Sequence, residues 1–254
     1  MQPISATIIT CNEERNIARS LESLSWADEI VVIDSGSSDA TLEICRRYTD
    51  RIIHRDWTGY VDQKNFAVDA ARNDWIFSLD ADERTSEELR AEILELAAAG
   101  FTNSGYRIPR VAWFLGRWIR HGEWYPDYQL RLFDRRQARW GGGLVHESVK
   151  LAGKPGLLRG EIEHYTYHSL SDYLKRLEVY STLAASDYSR KGRKVTLLGL
   201  AGNPVAAFVK SYFLKRGFLD GIPGFTVAVM GAVSVFFKYA KLYEMKRQLD
   251  GSVG

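Results

Sequence analysis

The sequence predicts an α/β fold, a mostly parallel β-sheet flanked by helices and followed by an amphipathic helical extension at the C-terminus. Runs of apolar, β-branched residues alternate with helical patterns over the first 100 residues. Such alternation is typical of right-handed β-α-β units, whose strands pair in parallel. Hydrophobic residues make up 45% of the chain and charged residues 26%, which excludes a disordered or fibrous protein.

The first 100 residues contain four predicted strands and four predicted helices. The strands are expected at residues 6–10, 29–34, 51–54 and 75–79. The helices are expected at residues 16–24, 38–48, 60–71 and 86–98. Ser38 and Ser86 have the side chains of helix N-caps. In such sheets, ligands bind at the carboxyl ends of the strands.

The rest of the chain divides into three stretches. Residues 101–168 are rich in Trp, Tyr, Gly and Arg and predict short strands and loops. Residues 169–188 predict a helix with Leu170, Leu174, Leu177 and Ser181 along one face. We therefore expect a catalytic domain at 1–188, with halves 1–100 and 101–188, and a helical extension at 189–254.

Charge is distributed unevenly along the chain. The net charge of +2 hides an acidic body, residues 1–188 with net charge −6, and a basic tail, residues 189–254 with net charge +8. Residues 195–209, interrupted by Asn203-Pro204, and 221–237 are uncharged. Basic charge beside long apolar runs favours an anionic membrane surface over nucleic acid. We expect helices in the membrane plane, or buried, rather than spans.

Two further features limit where the protein works. The N-terminus has no basic region and no long apolar core, so no signal peptide is predicted. The two cysteines, Cys11 and Cys45, cannot form a disulfide framework, which favours a reducing compartment.

Carboxylates follow two of the predicted strands. Asp34 ends the second strand and precedes a Gly/Ser turn, where it can bind a base or ribose or simply hold the turn. Asp80 and Asp82 follow the fourth strand, and alternate carboxylates at a strand end can bind a divalent cation. Lys64 can reach a phosphate or a base, or face solvent. No glycine-rich dinucleotide motif and no phosphate-binding loop is present.

The middle region supplies candidates for proton transfer. Asp127, His146 and Glu147 could each take a proton from an acceptor hydroxyl, and His146 could instead bind a metal ion. His164 and His168 lack the spacing of a zinc site.

The ordered motifs resemble family-2 glycosyltransferases of the GT-A (Rossmann-like) fold. The motifs are Thr7-Ile-Ile-Thr-Cys-Asn-Glu-Glu14, Val31-Val-Ile-Asp-Ser-Gly-Ser-Ser-Asp-Ala-Thr41, Lys64-Asn65 and Leu79-Asp-Ala-Asp-Glu83. Later segments resemble the branch that contains lipopolysaccharide core β-1,4-glucosyltransferases. These segments are Arg131-Leu-Phe133, Val145-His-Glu147, Gly217-Phe-Leu-Asp-Gly221 and Lys238-Tyr-Ala-Lys241.

The resemblance implies an inverting transfer of a hexose, glucose in this branch, from a nucleotide-diphosphate sugar such as a UDP-sugar, with Mg²⁺ or Mn²⁺. The acceptor would be a lipid-linked saccharide such as the lipopolysaccharide inner core, at the cytoplasmic face of the inner membrane. The implied donor-binding residues are Thr10, Asn12, Glu13, Asp34, Lys64 and Asp80. The implied metal ligands are Asp82, Asp80 and His146. Asp127 is the expected base, with Glu147 and His146 on the metal or acceptor side.

Two departures and two alternatives accompany this resemblance. Cys11 stands where many relatives carry an aromatic residue, and Pro126 stands where they often carry the Glu of a Glu-Asp pair. One alternative is transfer to a polyprenyl phosphate, as in the similar dolichyl-phosphate mannose synthases. That acceptor is already ionised and needs no base. The other is a non-catalytic, membrane-bound protein that binds nucleotide-sugars.

Overall fold

The chain divides into two units. The computed structural model describes residues 1–142, 147–167, 169–249 and 251. The first unit comprises Met1–Val111 and Asp127–Tyr165, and the second comprises Ala112–Pro126 and Thr166–Gly254. The sequence analysis divided the chain at residue 188, whereas this division groups everything after Tyr165 with the C-terminal helices.

The first unit begins with the predicted alternation of strands and helices. In chain order its elements are β1 (Ile4–Thr10), α1 (Ile17–Glu22), β2 (Glu29–Asp34), α2 (Thr41–Cys45), β3 (Ile52–His54), α3 (Tyr60–Ala70), β4 (Trp75–Asp80), β5 (Glu83–Thr85) and α4 (Glu87–Ala99). Strands β1, β2 and β4 carry near-continuous apolar runs and are almost entirely buried, as expected for strands covered on both faces.

Seven further strands follow along the chain, and most of them pair in antiparallel fashion. They are β6 (Gly105–Phe114), β7 (Arg117–Ile119), β8 (Asp127–Asp134), β9 (Ala138–Gly142), β10 (Glu147–Leu151), β11 (Gly156–Leu157) and β12 (Ile162–His164). The strand order is β3-β2-β1-β4-β8-β6-β12-β5, and β9 and β10 form a separate hairpin. Strands β3, β2, β1 and β4 are parallel, whereas β8 is antiparallel to β4 and β6 is antiparallel to β8. The α/β fold class is confirmed, with a sheet that is mixed as a whole.

One of the two predicted helix caps is correct. Ser86 accepts a hydrogen bond from the backbone N–H of Leu89 and caps α4. The cap predicted at Ser38 is wrong, because α2 begins at Thr41 and its N-cap is Ala40. The backbone N–H of Ser38 instead donates to the side-chain oxygen of Asn12. This serine therefore connects two loops.

The second unit is mainly helical. Its helices are α5 (Leu170–Arg190), α6 (Leu197–Val209), a π-helical turn (Lys210–Leu214), a 3-10 turn (Gly217–Asp220) and α7 (Gly221–Leu249). Two of the four residues predicted to share one face of α5, Leu177 and Ser181, are buried. Leu170 and Leu174 are exposed, and the helix buries Tyr173, Leu177, Ser181 and Ala185. Pro204 lies inside α6 and does not end it.

Helix α6 is strongly apolar, yet all thirteen of its residues are described and none is buried. Leu197 and Leu198 are 82% and 83% exposed. By length and composition alone, the segments Leu197–Leu214 and Gly217–Gln248 could each cross a membrane. The core helices of soluble proteins pass the same test, but those helices are mostly buried.

A buried carboxylate anchors the turn between α6 and α7. Asp220 is 1% exposed and accepts hydrogen bonds from the backbone N–H groups of Arg120 and His121, at 3.0 and 2.8 Å. Nδ1 of His121 lies 3.1 Å from its other oxygen. This residue therefore connects the start of α7 to the segment after β7, within the second unit.

We predict that Asp220→Ala lowers the free energy of unfolding by about 2–4 kcal/mol, because two backbone donors lose a charged acceptor. Urea unfolding followed by circular dichroism measures the change. Glu244, an exposed acid on α7, is the matched control, and its replacement by Ala should change the value by less than about 0.5 kcal/mol. Equal effects at the two positions would contradict the anchoring role of Asp220.

Candidate active site

Three predicted site residues lie side by side at the carboxyl ends of the parallel strands. Thr10 pairs with Asp34 in the register of β1 and β2, and Ile9 pairs with Asp80 in the register of β1 and β4. Thr10 is buried, and its hydroxyl has no hydrogen-bond partner among the described residues. The expected edge of the sheet is therefore where these side chains meet.

The loops after β1 and β2 are connected by hydrogen bonds. Asn12 has a left-handed backbone conformation (φ 55°), which asparagine tolerates well, and its N–H donates to the Ser37 hydroxyl at 2.9 Å. The N–H of Glu13 donates to the Thr41 hydroxyl at 2.8 Å. Asn12 and Glu13 thus shape the rim beside Asp34.

Asp34 holds its own turn and also lines a cleft. The carboxylate is 2% exposed and accepts hydrogen bonds from the N–H groups of Gly36 and Ser37, at 2.9 and 3.1 Å. It borders a cleft of about 540 Å³ that is also lined by Leu42 and His54. This volume lies within the range of small-molecule sites. The structural and the ligand-binding interpretations of Asp34 are therefore compatible.

Lys64 is buried among opposite charges. Its Nζ lies 2.8 Å from Asp80 and 3.4 Å from Glu147, and its side chain is only 4% exposed. The ammonium also lies 4.4 Å from the centre of the Trp140 ring. Asn65 holds this tryptophan, because its side chain exchanges two hydrogen bonds with the Trp140 backbone. Lys64 therefore does not lie on a solvated helix face.

Asp80 is held by cations from two elements. Lys64 of α3 contacts one carboxylate oxygen and Arg131 of β8 contacts the other, at 2.8 and 2.6 Å. Burial would raise the pKa of Asp80, but the charges of Arg131 and Lys64 outweigh burial and hold that pKa well below its usual value. Asp80 is therefore an anion at neutral pH.

Glu83 connects Asp80 to the predicted base. Its side chain is fully buried, and Oε1 accepts hydrogen bonds from Arg131 at 3.1 Å and Arg110 at 2.7 Å. Its other oxygen accepts the backbone N–H of Asp80 at 3.0 Å. Arg110 in turn donates hydrogen bonds to Asp127 from Nε and Nη2, at 2.9 and 2.6 Å.

These contacts form one row of alternating charges, here called the ion-pair network. Its seven members, in order, are Glu147, Lys64, Asp80, Arg131, Glu83, Arg110 and Asp127. Lys64, Arg131 and Glu83 are almost inaccessible, at 0–4% exposed, whereas the other four members are 22–38% exposed. Asp127, at one end of the network, is the most exposed of its carboxylates at 38%.

Asp82 has a histidine partner. Nε2 of His164 lies 3.1 Å from its Oδ2, and the backbone N–H of Tyr165 donates to its carbonyl oxygen. A carboxylate and an imidazole are both ligands of divalent metal ions. In the part of the chain that the structure describes, no group of three or more His, Cys, Asp or Glu side chains is arranged to hold a metal ion. The third predicted ligand, His146, lies outside the described residues.

The structure thus brings most of the predicted residues together, and it adds several that the sequence analysis did not assign. Lys64, Asp80 and Glu147 are in direct contact, and Asp127 joins them through the ion-pair network. The additions are Glu83, Arg110, Arg131, Trp140 and His164. One available signal was Arg131, a charged residue inside the apolar run Leu-Arg-Leu, which indicates a buried charge with a partner.

The chain matches known proteins over most of its length. Residues 5–153 match the model of glycosyl transferase family 2. The chain is 33% identical to the lipopolysaccharide core biosynthesis glycosyltransferase LpsC of Rhizobium meliloti, over 95% of this chain and 92% of that protein. It is 32% identical to an uncharacterized glycosyltransferase of Rickettsia typhi, over 96% and 88% of the two chains.

Solved structures include a more distant neighbour, S. aureus TarS 1–349 in complex with UDP-GlcNAc. Its TM-score is 0.49 at 14% identity, over 97% of this chain and 92% of that one. The family match covers more than half of the chain, and the two sequence relatives match almost all of it. The chain therefore belongs to glycosyl transferase family 2.

Proposed function

We propose that this protein is an inverting glycosyltransferase that transfers a hexose, glucose, from a nucleotide-diphosphate sugar to a lipid-linked saccharide such as the lipopolysaccharide inner core. One observation carries the proposal. The ion-pair network joins Asp80, at the strand ends where donors bind, to Asp127, a partly exposed carboxylate suited to act as a base. The LpsC relative supports the lipopolysaccharide acceptor.

The donor would bind along the edge formed by β1, β2 and β4. Asp34 and the loop of Asn12 and Glu13 would contact the nucleoside, beside the cleft that Asp34 lines. Lys64 and Asp80 would lie under the sugar diphosphate. Because Asp80 already neutralises Lys64, this pair would orient the donor rather than supply a net positive charge.

Asp82 and His164 are the residues best suited to hold Mg²⁺ or Mn²⁺. Their side chains approach to 3.1 Å, and oxygen and imidazole nitrogen form an acceptable ligand set for these ions. A bound cation would neutralise charge on the departing diphosphate. Asp80 is less available as a ligand, because cations occupy both of its oxygens.

Asp127 is the proposed base. The acceptor hydroxyl would attack C1 of the sugar, its proton would pass to Asp127, and the bond from C1 to the diphosphate oxygen would break. Among the carboxylates of the ion-pair network, Asp127 is the most exposed at 38%. Glu147 at the opposite end is less exposed and contacts Lys64, which supports a role in orienting that lysine.

The metal site can be tested by substitution. We predict that Asp82→Ala and His164→Ala each reduce metal-stimulated transfer by ~100-fold or more and weaken nucleotide binding only when Mn²⁺ is present. Isothermal titration with UDP, with and without Mn²⁺, measures the binding. Asp69→Asn, at an exposed acid on α3, is the control and should bind as the unchanged protein does. Metal-dependent binding that survives both substitutions would exclude this pair as the ligands.

The base can be tested separately. We predict that Asp127→Asn lowers kcat for transfer to a hydroxyl acceptor by about 10²–10⁴-fold, because the proton then lacks an acceptor. The fold-reduction in kcat caused by Glu147→Gln should be at least ten times smaller than that caused by Asp127→Asn. Steady-state kinetics with a UDP-sugar panel and lipid-linked acceptors measure both. If both variants kept full activity, the acceptor would be one that needs no base, such as a polyprenyl phosphate.

We further propose that the protein lies on the cytoplasmic face of the inner membrane, held by α6. None of the residues of this helix is buried, and two of its large apolar residues, Leu197 and Leu198, are 82% and 83% exposed. Basic residues stand just before the apolar segment Leu197–Leu214, in its last turn and just after it. They are Arg190, Lys191, Arg193, Lys194, Lys210, Lys215 and Arg216. A helix in the membrane plane keeps both clusters at one anionic surface, whereas a spanning helix would separate them.

Helix α7 is a weaker candidate for this contact. Lys241 donates hydrogen bonds to Ser181 and Thr182 of α5, at 3.0 and 2.6 Å. Lys238 lies 4.5 Å from the centre of the Tyr188 ring. These lysines therefore stabilise the packing of α7 on α5, within the second unit.

Membrane binding is predicted to depend on α6. Replacing Leu197 and Leu198 together by Ser should reduce partitioning onto vesicles that contain phosphatidylglycerol by about 10- to 100-fold, because two leucine side chains no longer leave water. Vesicle co-sedimentation measures it, with phosphatidylcholine vesicles as the neutral comparison. Leu157→Ser, at a 60% exposed leucine of the first unit, is the matched control. Equal binding by both variants would exclude α6 as the contact.

A further inference from the structure

The interior of the ion-pair network contains more charge than stability requires. Arg131 and Glu83 are 3% and 0% exposed, and Lys64 is 4% exposed. Removing so many charges from water is costly, and well-packed apolar residues of similar size often stabilise a protein equally well. A network of this kind therefore calls for a role other than stability.

Arg110 contacts the proposed base through hydrogen bonds that constrain both distance and angle. It lies directly opposite Asp127 in the antiparallel register of β6 and β8. Two of its N–H groups, on Nε and Nη2, converge on one carboxylate oxygen, and the third, on Nη1, reaches Glu83. Gln129 donates to the other Asp127 oxygen at 2.7 Å. The planar guanidinium thus determines the orientation of the carboxylate as well as its distance.

Glu83 determines where Arg110 lies. Its fully buried carboxylate accepts Arg110 and Arg131 on the same oxygen, and its second oxygen accepts the backbone N–H of Asp80. One rigid group therefore contacts both the end of β4, on the donor side, and the arginine that orients Asp127. Burial would lower the pKa of Arg110, but Glu83 and Asp127 outweigh burial and raise it, so the guanidinium stays charged.

We propose that Glu83 and Arg110 are positioning residues, which hold the Asp127 carboxylate at a set distance and angle from Asp80. This inference depends on the proposed role of Asp127 as the base. Neither residue needs to contact a substrate. Their effect is to keep the proton acceptor aligned with the acceptor hydroxyl while the donor is held at the strand ends, where an error of about 1 Å can cost 10²-fold in rate.

The inference predicts a particular kinetic signature. Arg110→Gln and Glu83→Gln should each lower kcat by about 10- to 100-fold. Arg110→Gln should leave KM for the donor within about 2-fold, because Arg110 contacts Glu83 and Asp127 and none of the proposed donor-binding residues. Glu83→Gln keeps the shape of the side chain and so protects the fold, which circular dichroism melting checks. Arg139→Gln, at an exposed arginine paired with Asp69, is the control and should leave kcat unchanged.

A double substitution separates positioning from a merely structural role. If Arg110 acts through Asp127, adding Arg110→Gln to the Asp127→Asn variant should lower kcat further by less than about 2-fold, because no base remains to be positioned. The same loss in both backgrounds would overturn the positioning role, although Asp127 would still be the base. Full transfer activity in Asp127→Asn alone would instead overturn the proposed base, and the positioning role with it.

Discussion

The two ion pairs of Asp80 are the interaction on which the site depends. Asp80 ends the buried parallel strand β4. Lys64 lies on helix α3, and Arg131 lies on the antiparallel strand β8. Charges buried this deeply must be paired, because an unpaired one costs several kcal/mol. Two consecutive elements, α3 and β4, and a strand about 50 residues later in the chain are therefore held in one relative position. Trp140 contributes an aromatic face to both cations, at 4.4 and 5.5 Å.

The two units differ in which groups they bury. The first unit buries Lys64, Arg131 and Glu83 and pairs each of them with an opposite charge, while Asp127 at the end of the ion-pair network stays 38% exposed. The second unit leaves apolar surface uncovered on α6 and uses its buried carboxylate, Asp220, to stabilise the turn before α7. In water, exposed leucines contribute nothing favourable, whereas at a lipid surface they supply the binding energy. The basic tail, residues 189–254, lies wholly in the second unit, which also includes residues 112–126 and 166–188 of the acidic body.

Local patterns predicted most of the parallel half of the fold. Strand β2 was expected at residues 29–34 and is Glu29–Asp34, and the cap at Ser86 is present. Those features depend on neighbouring residues, which a sequence displays directly. The cap expected at Ser38 is absent, because the backbone of this serine bonds to Asn12, 26 residues earlier in the chain. The bounds and partners of antiparallel strands such as β8 were not predicted, because their pairing depends on residues far away in the sequence.

The sequence alone determined the family motifs, the alternation of strands and helices, and the placement of Asp34 and Asp80 at strand ends. Each of these follows from residues close together in the chain. Only the tertiary structure decided that Lys64 is buried, that Glu83 links two arginines, and that His164 faces Asp82. The contacts of Glu83 with the two arginines and of His164 with Asp82 join residues 27 to 82 positions apart, whereas Lys64 and Asp80 are closer in the chain. The physical reason is that a charge leaves water only when folding supplies its partner, and the identity of that partner is a property of the packed sheet.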